Sequence, residues 1–104
     1  MGPFIIIPEP SVADLSRSGF SVDKTAMAEH YYALFAGKRF DEVHDLLKAH
    51  GLTYNIKDER RLVFSPRYEF TGLPASYSCT VEISFENGQF TEVLDIYNCG
   101  VLAL

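Results

Sequence analysis

The chain has 104 residues, 47% of them apolar and 22% charged, with three histidines and two cysteines. That size and mix suit a single domain spanning residues 1–104 and exclude a disordered segment, and no apolar run reaches the roughly 20 residues of a membrane-spanning helix. The net charge of −5 lies wholly in the C-terminal third, where Tyr68 to Leu104 holds five acids (Glu69, Glu82, Glu86, Glu92, Asp95) and no base, which disfavours direct nucleic-acid binding.

Phe4 to Ile7 reads as a short strand between Pro3 and Pro8, suited to an edge or a buried arm. It is too short for a signal-peptide core and follows no basic residue, so a cytoplasmic location is expected. Ser11 with Asp14 three residues on is an N-cap pattern, predicting a brief helix to about Ser18 that Gly19 stops. A second helix is predicted from Ser21 or Asp23 to Gly37, with Met27, Tyr31, Leu34 and Phe35 as its apolar stripe, widened by Ala28 and Tyr32. A third runs from about Phe40 to His50, with Asp41 and Glu42 in its first turn and Phe40, Val43, Leu46 and Leu47 inward. Gly51 and Leu52 predict a Schellman ending, in which Leu52 folds back on Leu47.

After Gly51 the period changes from helical to alternating. Residues 52–57 read as a strand, Lys57 to Arg60 as a polar turn, and Arg61 to Ser65 as the return. Pro66 interrupts the ladder, and Tyr68 to Thr71 continues it after a bulge. A loop from Gly72 to Ala75 feeds a long hairpin that turns at Asn87-Gly88, the dipeptide that supplies both positive-φ positions of a type I′ turn. A two-residue loop makes residues whose numbers sum to 175 face each other. Cys79, Val81, Ile83 and Phe85 then share a core face with Phe90, Glu92, Leu94 and Ile96. The outer face carries Thr80, Glu82, Ser84, Glu86, Thr91, Val93, Asp95 and Tyr97. Gly100 ends the last strand, leaving Val-Leu-Ala-Leu as an apolar tail. The expected fold is α+β, with two to three N-terminal helices on one face of a roughly four-stranded antiparallel sheet.

In that register Cys79 points to the core opposite Ile96, and Cys99 points outward opposite Ser76, too far apart for a disulfide unless a bulge intervenes near the hairpin base. Neither cysteine has the further ligands of a zinc site, so no metal or cofactor is expected. His30, His44 and His50 lack the spacing of a helical metal site, and the weightier reading of each is a solvated or packed imidazole. Glu92 is the one acid on the predicted core face. A buried carboxylate there needs a cation such as Arg61 or Arg67, or else a register slip that exposes it.

The stretch His30-Tyr-Tyr-Ala-Leu-Phe-Ala-Gly-Lys-Arg-Phe-Asp-Glu-Val-His-Asp-Leu-Leu47 resembles the helix pair opening many NTF2-like domains, and it covers under a fifth of the chain. The resemblance implies a curved antiparallel sheet enclosing a pocket. It supports the second of two functional readings, a small pocket-forming enzyme or ligand carrier with Glu92 as its polar centre. The first reading is a non-enzymatic acidic module of the inhibitor, immunity or anti-defence kind, which occupies a basic surface on a partner protein. Its contact residues are Glu82, Glu86, Asp95 and Tyr97, with tyrosine supplying contact area at small entropic loss. A homodimer through the hairpin edge or the Val101–Leu104 tail is a third reading.

Overall fold

Two short strands, β1 (Val12–Ala13) and β2 (Ser21–Val22), pair antiparallel ahead of the main body, with Val12 opposite Val22. The computed structural model describes residues 12–13, 21–22, 24–69 and 75–103, with side-chain surroundings for 24–67 and 78–100. The expected strand at Phe4 to Ile7 and the loop at 72–74 lie outside the described residues. The helix expected over Ser11 to Ser18 is corrected where it is described, since Val12 and Ala13 are strand. A helix of about eight residues is marginal without tertiary support, whereas Val12 and Ala13 have backbone partners in Val22 and Ser21.

Helix α1 (Lys24–Phe35) turns Met27, Tyr31 and Phe35 inward at four-residue spacing, and none of the three keeps accessible surface. It ends where Gly37 takes a φ of +78°, a conformation that costs glycine least. Helix α2 (Phe40–Ala49) starts with the Glu42 carboxylate accepting the Arg39 N–H at 2.8 Å and buries Val43 and Leu47. Its end is the expected Schellman motif. Gly51 has φ +68°, its N–H donates to the Lys48 carbonyl, and the Leu52 N–H donates to the Leu47 carbonyl.

The main sheet holds β3 (Thr53–Asp58), β4 (Arg61–Ser65), β5 (Arg67–Glu69), β6 (Ala75–Glu86) and β7 (Gln89–Ala103), all antiparallel. Strands β4 and β5 both pair with the same side of β6, so five strands fill four positions in the order β3, β4 with β5, β6, β7. Pro66 interrupts the ladder as expected, but no bulge follows. Phe64↔Val81 and Arg67↔Ser78 keep one register, because the Pro66 carbonyl still accepts the Cys79 N–H while proline's missing donor removes a single rung. Nor does Gly100 end the last strand, which runs on to Ala103.

The two helices cover one face of this sheet, giving the α+β layer arrangement. Phe35 sits at the centre of the interface, its ring 5.7 Å from both Phe64 and Phe90 and 6.0 Å from Tyr31. Leu62, Val81 and Ile83 fill the floor with no accessible surface. Burying each such side chain stabilises by about 1.5–3 kcal/mol relative to leaving it exposed. The loop between the helices is tied to the hairpin tip, with the Phe40 N–H donating to Gly88 and the Phe90 N–H donating to Lys38.

Asn87 and Gly88 have φ of +53° and +78° between the partners Glu86 and Gln89, the predicted two-residue turn. The register beyond it departs from expectation in three steps, each adding one residue to β7 alone. Partner numbers sum to 175 at Phe85↔Phe90, 176 at Ile83↔Val93, 177 at Val81↔Ile96 and 178 at Ser78↔Gly100. The extra residues are Thr91, Leu94 and one of the pair Asn98-Cys99. Each bulge reverses the in-out alternation beyond it. The first moves Val93 onto the core face opposite Ile83 and takes Glu92 off it, and the second returns Ile96 to the core opposite Val81.

The third bulge overturns the expectation for the cysteines. Asn98, with φ +52°, and Cys99 both lie opposite Cys79, and the bend turns Cys99 toward the core side. The two Cα atoms stand 4.0 Å apart and the side chains form a disulfide.

Candidate functional site

The outer face of the sheet, away from the helices, gathers the charged residues in rows across the strands. Glu82 and Asp95 are direct cross-strand partners, Thr80 and Tyr97 form the next pair, and Glu86 stands opposite Gln89 beside the turn. Glu86 and Asp95 are exposed, and Tyr97 is half-buried. Glu82 is less open than expected, keeping 16% of its side-chain surface, because Arg61 reaches it from β4 with Nη1 3.4 Å from Oε2. The Asp95 carboxylate also accepts the Ile96 N–H at 2.8 Å.

Glu92, read from the sequence as a buried acid, is exposed on this same outer side, opposite Ser84. The slip at Thr91 is the cause, and Thr91 is held there by its hydroxyl, 2.7 Å from the Ser84 hydroxyl and donating to the Ser84 carbonyl. The cation expected beside Glu92 serves Glu82 instead. Leu94, assigned to the core by strict alternation, is the extra residue of the second bulge and stays 43% exposed. A signal for both shifts is present in the sequence. Strict alternation put an acid inside at Glu92 and a valine outside at Val93, and one inserted residue repairs both faults at once.

The outer face therefore carries Glu82, Glu86, Glu92 and Asp95, with Arg61 among them. A cleft of about 350 Å³ opens here, where Arg60 and Arg61 face Glu86 and Glu92 beside Thr91 and Leu94. Chemically the cleft balances two guanidinium groups against two carboxylates beside hydroxyls and one aliphatic wall, and the excess of acid lies on the open face at Glu82 and Asp95. That face can accept hydrogen bonds from cationic side chains and contact their alkyl stems.

The histidines have packing partners. His30 meets the Tyr31 ring edge-on at 4.8 Å, and the His50 Nδ1–H donates to the Leu46 carbonyl at 3.0 Å. His44 on α2 meets Tyr54 on β3, with Nε2 2.8 Å from the phenol oxygen and Nδ1 3.7 Å from an Asp45 carboxylate oxygen. That contact pins α2 to the edge strand. Among the described residues no three His, Cys, Asp or Glu side chains come together as a metal site. The space between helices and sheet, where an NTF2-like domain would hold a pocket, is occupied by Tyr31, Phe35, Phe64 and their neighbours. A larger cleft, of about 450 Å³, lies at the loop end, where Phe40, Glu59, Arg60, Asn87 and Gly88 line it. No helix is long and apolar enough to cross a membrane among the described residues.

Compared with known proteins, the chain matches no family model, no curated protein and no solved structure.

Proposed function

We propose that this domain is a non-enzymatic acidic binding module that docks the outer face of its sheet on a basic surface of another protein, in the manner of an inhibitor or immunity protein. One observation carries the reading: Glu82 and Asp95 are like charges held directly opposite each other, with Glu86 and Glu92 exposed on the same side. Like charges across a strand pair oppose folding, so an arrangement of this kind is better explained by an intermolecular role than by stability. Tyr97 and Leu94 supply contact area at the margin. A filled interior weighs against the alternative of a pocket-forming enzyme or carrier.

The sequence reading favours the cytoplasm, while the Cys79–Cys99 disulfide favours an oxidising compartment, where such bonds persist. Thiol labelling of the protein in its own cells distinguishes the two.

The binding test uses the immobilised chain and a variant carrying Glu86→Lys with Asp95→Lys, two exposed positions that leave the Arg61–Glu82 pair intact. Wild type should retain a basic protein from host extract and release it with rising salt. The variant should fold equally well and associate about tenfold or more slowly with that partner at low ionic strength. Equal association rates for the two chains, or retention indifferent to salt, would refute the reading.

A further inference from the structure

Three features of the distal half of β7 bear on one another. The register there is displaced by one residue at Asn98-Cys99, where β7 spends two residues against Cys79 alone. Asn98 takes a φ of +52°, which few non-glycine residues adopt and asparagine tolerates best. Beyond the bulge the sequence is Gly100-Val-Leu-Ala-Leu, apolar or glycine at every position.

Register in a sheet is specified where apolar and polar residues alternate, because a one-residue slip then exposes the core set. Nearer the turn that rule applies, since a slip at Ile83↔Val93 would exchange Val93 for Glu92 or Leu94. From Gly100 onward it does not apply. A run without alternation presents an equivalent pattern in either register, so hydrophobic patterning is indifferent between them. The covalent bond is not indifferent. In the bulged register Cys99 shares the face of Cys79. In an unbulged ladder continued from Thr80↔Tyr97, Asn98 would stand opposite Cys79 and Cys99 opposite Ser78, on the other face and out of bonding reach.

We infer that the Cys79–Cys99 disulfide is a redox-controlled register lock, and that its reduction lets β7 from Asn98 to Ala103 slide by one residue along β6 while the remainder of the sheet stays in place. The reductant is a dithiol. It delivers two electrons to the sulfur–sulfur bond, each cysteine sulfur leaves with one proton as a thiol, and the dithiol closes to its own disulfide. With the bond gone, Asn98 can leave the left-handed region and the unpaired residue of the bulge can rejoin the ladder, two gains set against the cost of placing Asn98 opposite the buried Cys79. Tyr97 and Asp95 lie on the fixed side of the bulge, so the acidic face persists in both states, and the inference does not depend on the proposed partner.

The test is NMR of the full chain, oxidised and then fully reduced with dithiothreitol. Oxidised protein should show cross-strand contacts of Ser78 with Gly100 and Tyr77 with Val101. Reduced protein should show Ser78 with Cys99 and Tyr77 with Gly100, with Ile83↔Val93 contacts unchanged and amide exchange over residues 98–103 about tenfold faster. An Asn98→Gly variant, relieved of the conformational penalty, should keep a larger share of the bulged register after reduction. Persistence of the Ser78–Gly100 contact in fully reduced wild type would overturn the inference. So would loss of the Ile83–Val93 contact on reduction, which would mean that the bond supports the whole sheet.

Discussion

Asp95→Asn should stabilise this protein, and the reason lies in one cross-strand pair. Asp95 stands directly opposite Glu82, where two carboxylates repel, and like charges at such a position destabilise by about 0.2–1 kcal/mol. The substitution removes that term and little else, since Asp95 is exposed and an asparagine oxygen can still accept the Ile96 N–H. For a domain of this size the gain corresponds to a rise in Tm of about 1–8 °C. Glu82→Gln relieves the same repulsion but also gives up the contact with Arg61. Because the arginine is 55% exposed, that ion pair is worth only about 0.2–1 kcal/mol, and the two terms offset to leave Glu82→Gln nearly neutral. Thermal melts of wild type, both single variants and the double variant complete a thermodynamic cycle, and its coupling should be unfavourable in the wild type. Repeating the melts in 1 M salt, where the screening length falls to about 3 Å, should remove most of the Asp95→Asn gain. A neutral or destabilising Asp95→Asn at low salt, or a gain that salt leaves untouched, would refute the argument that this face is held at the expense of stability.

Two further outcomes follow from the same structure. Gly51→Ala should cost about 1 kcal/mol, read as the shift of a urea midpoint, because a φ of +68° penalises any side chain even though no atom lies within 4 Å of the added Cβ; Gly100→Ala, also uncrowded but outside the left-handed region, should be neutral or slightly stabilising. Burial pushes the Tyr31 phenol well above its usual value of 10.0, so its contribution to stability is complete below about pH 10 and declines by about 1.4 kcal/mol per unit as pH rises further; Tyr31→Phe should flatten that alkaline slope in melts between about pH 10 and 12, and an unchanged slope would place its origin elsewhere.

Local stereochemistry was legible in the amino-acid sequence wherever a few adjacent residues decide the outcome. Asn87-Gly88 dictates its turn because both positions need positive φ. Gly51 with Leu52 dictates the end of α2 because the motif closes within residues 47–52, and the four-residue spacing of Met27, Tyr31 and Phe35 identifies the buried side of α1. The charge asymmetry was equally plain, since it requires no geometry. Tertiary structure decided what depends on accumulated position along the hairpin. Alternation counts residues from the turn, and each of three bulges adds one to the count, so the assignment of faces fails first at Glu92 and Val93, is restored at Ile96, and is lost again at Cys99. Those bulges are selected by contacts across the strand pair: the Thr91 hydroxyl on Ser84, Val93 against Ile83, and the bond between Cys79 and Cys99. The pairing of Arg61 with Glu82 rather than Glu92 follows from the same count. A strand's own residues state which side chains prefer burial, but only its partner strand determines where an extra residue is absorbed.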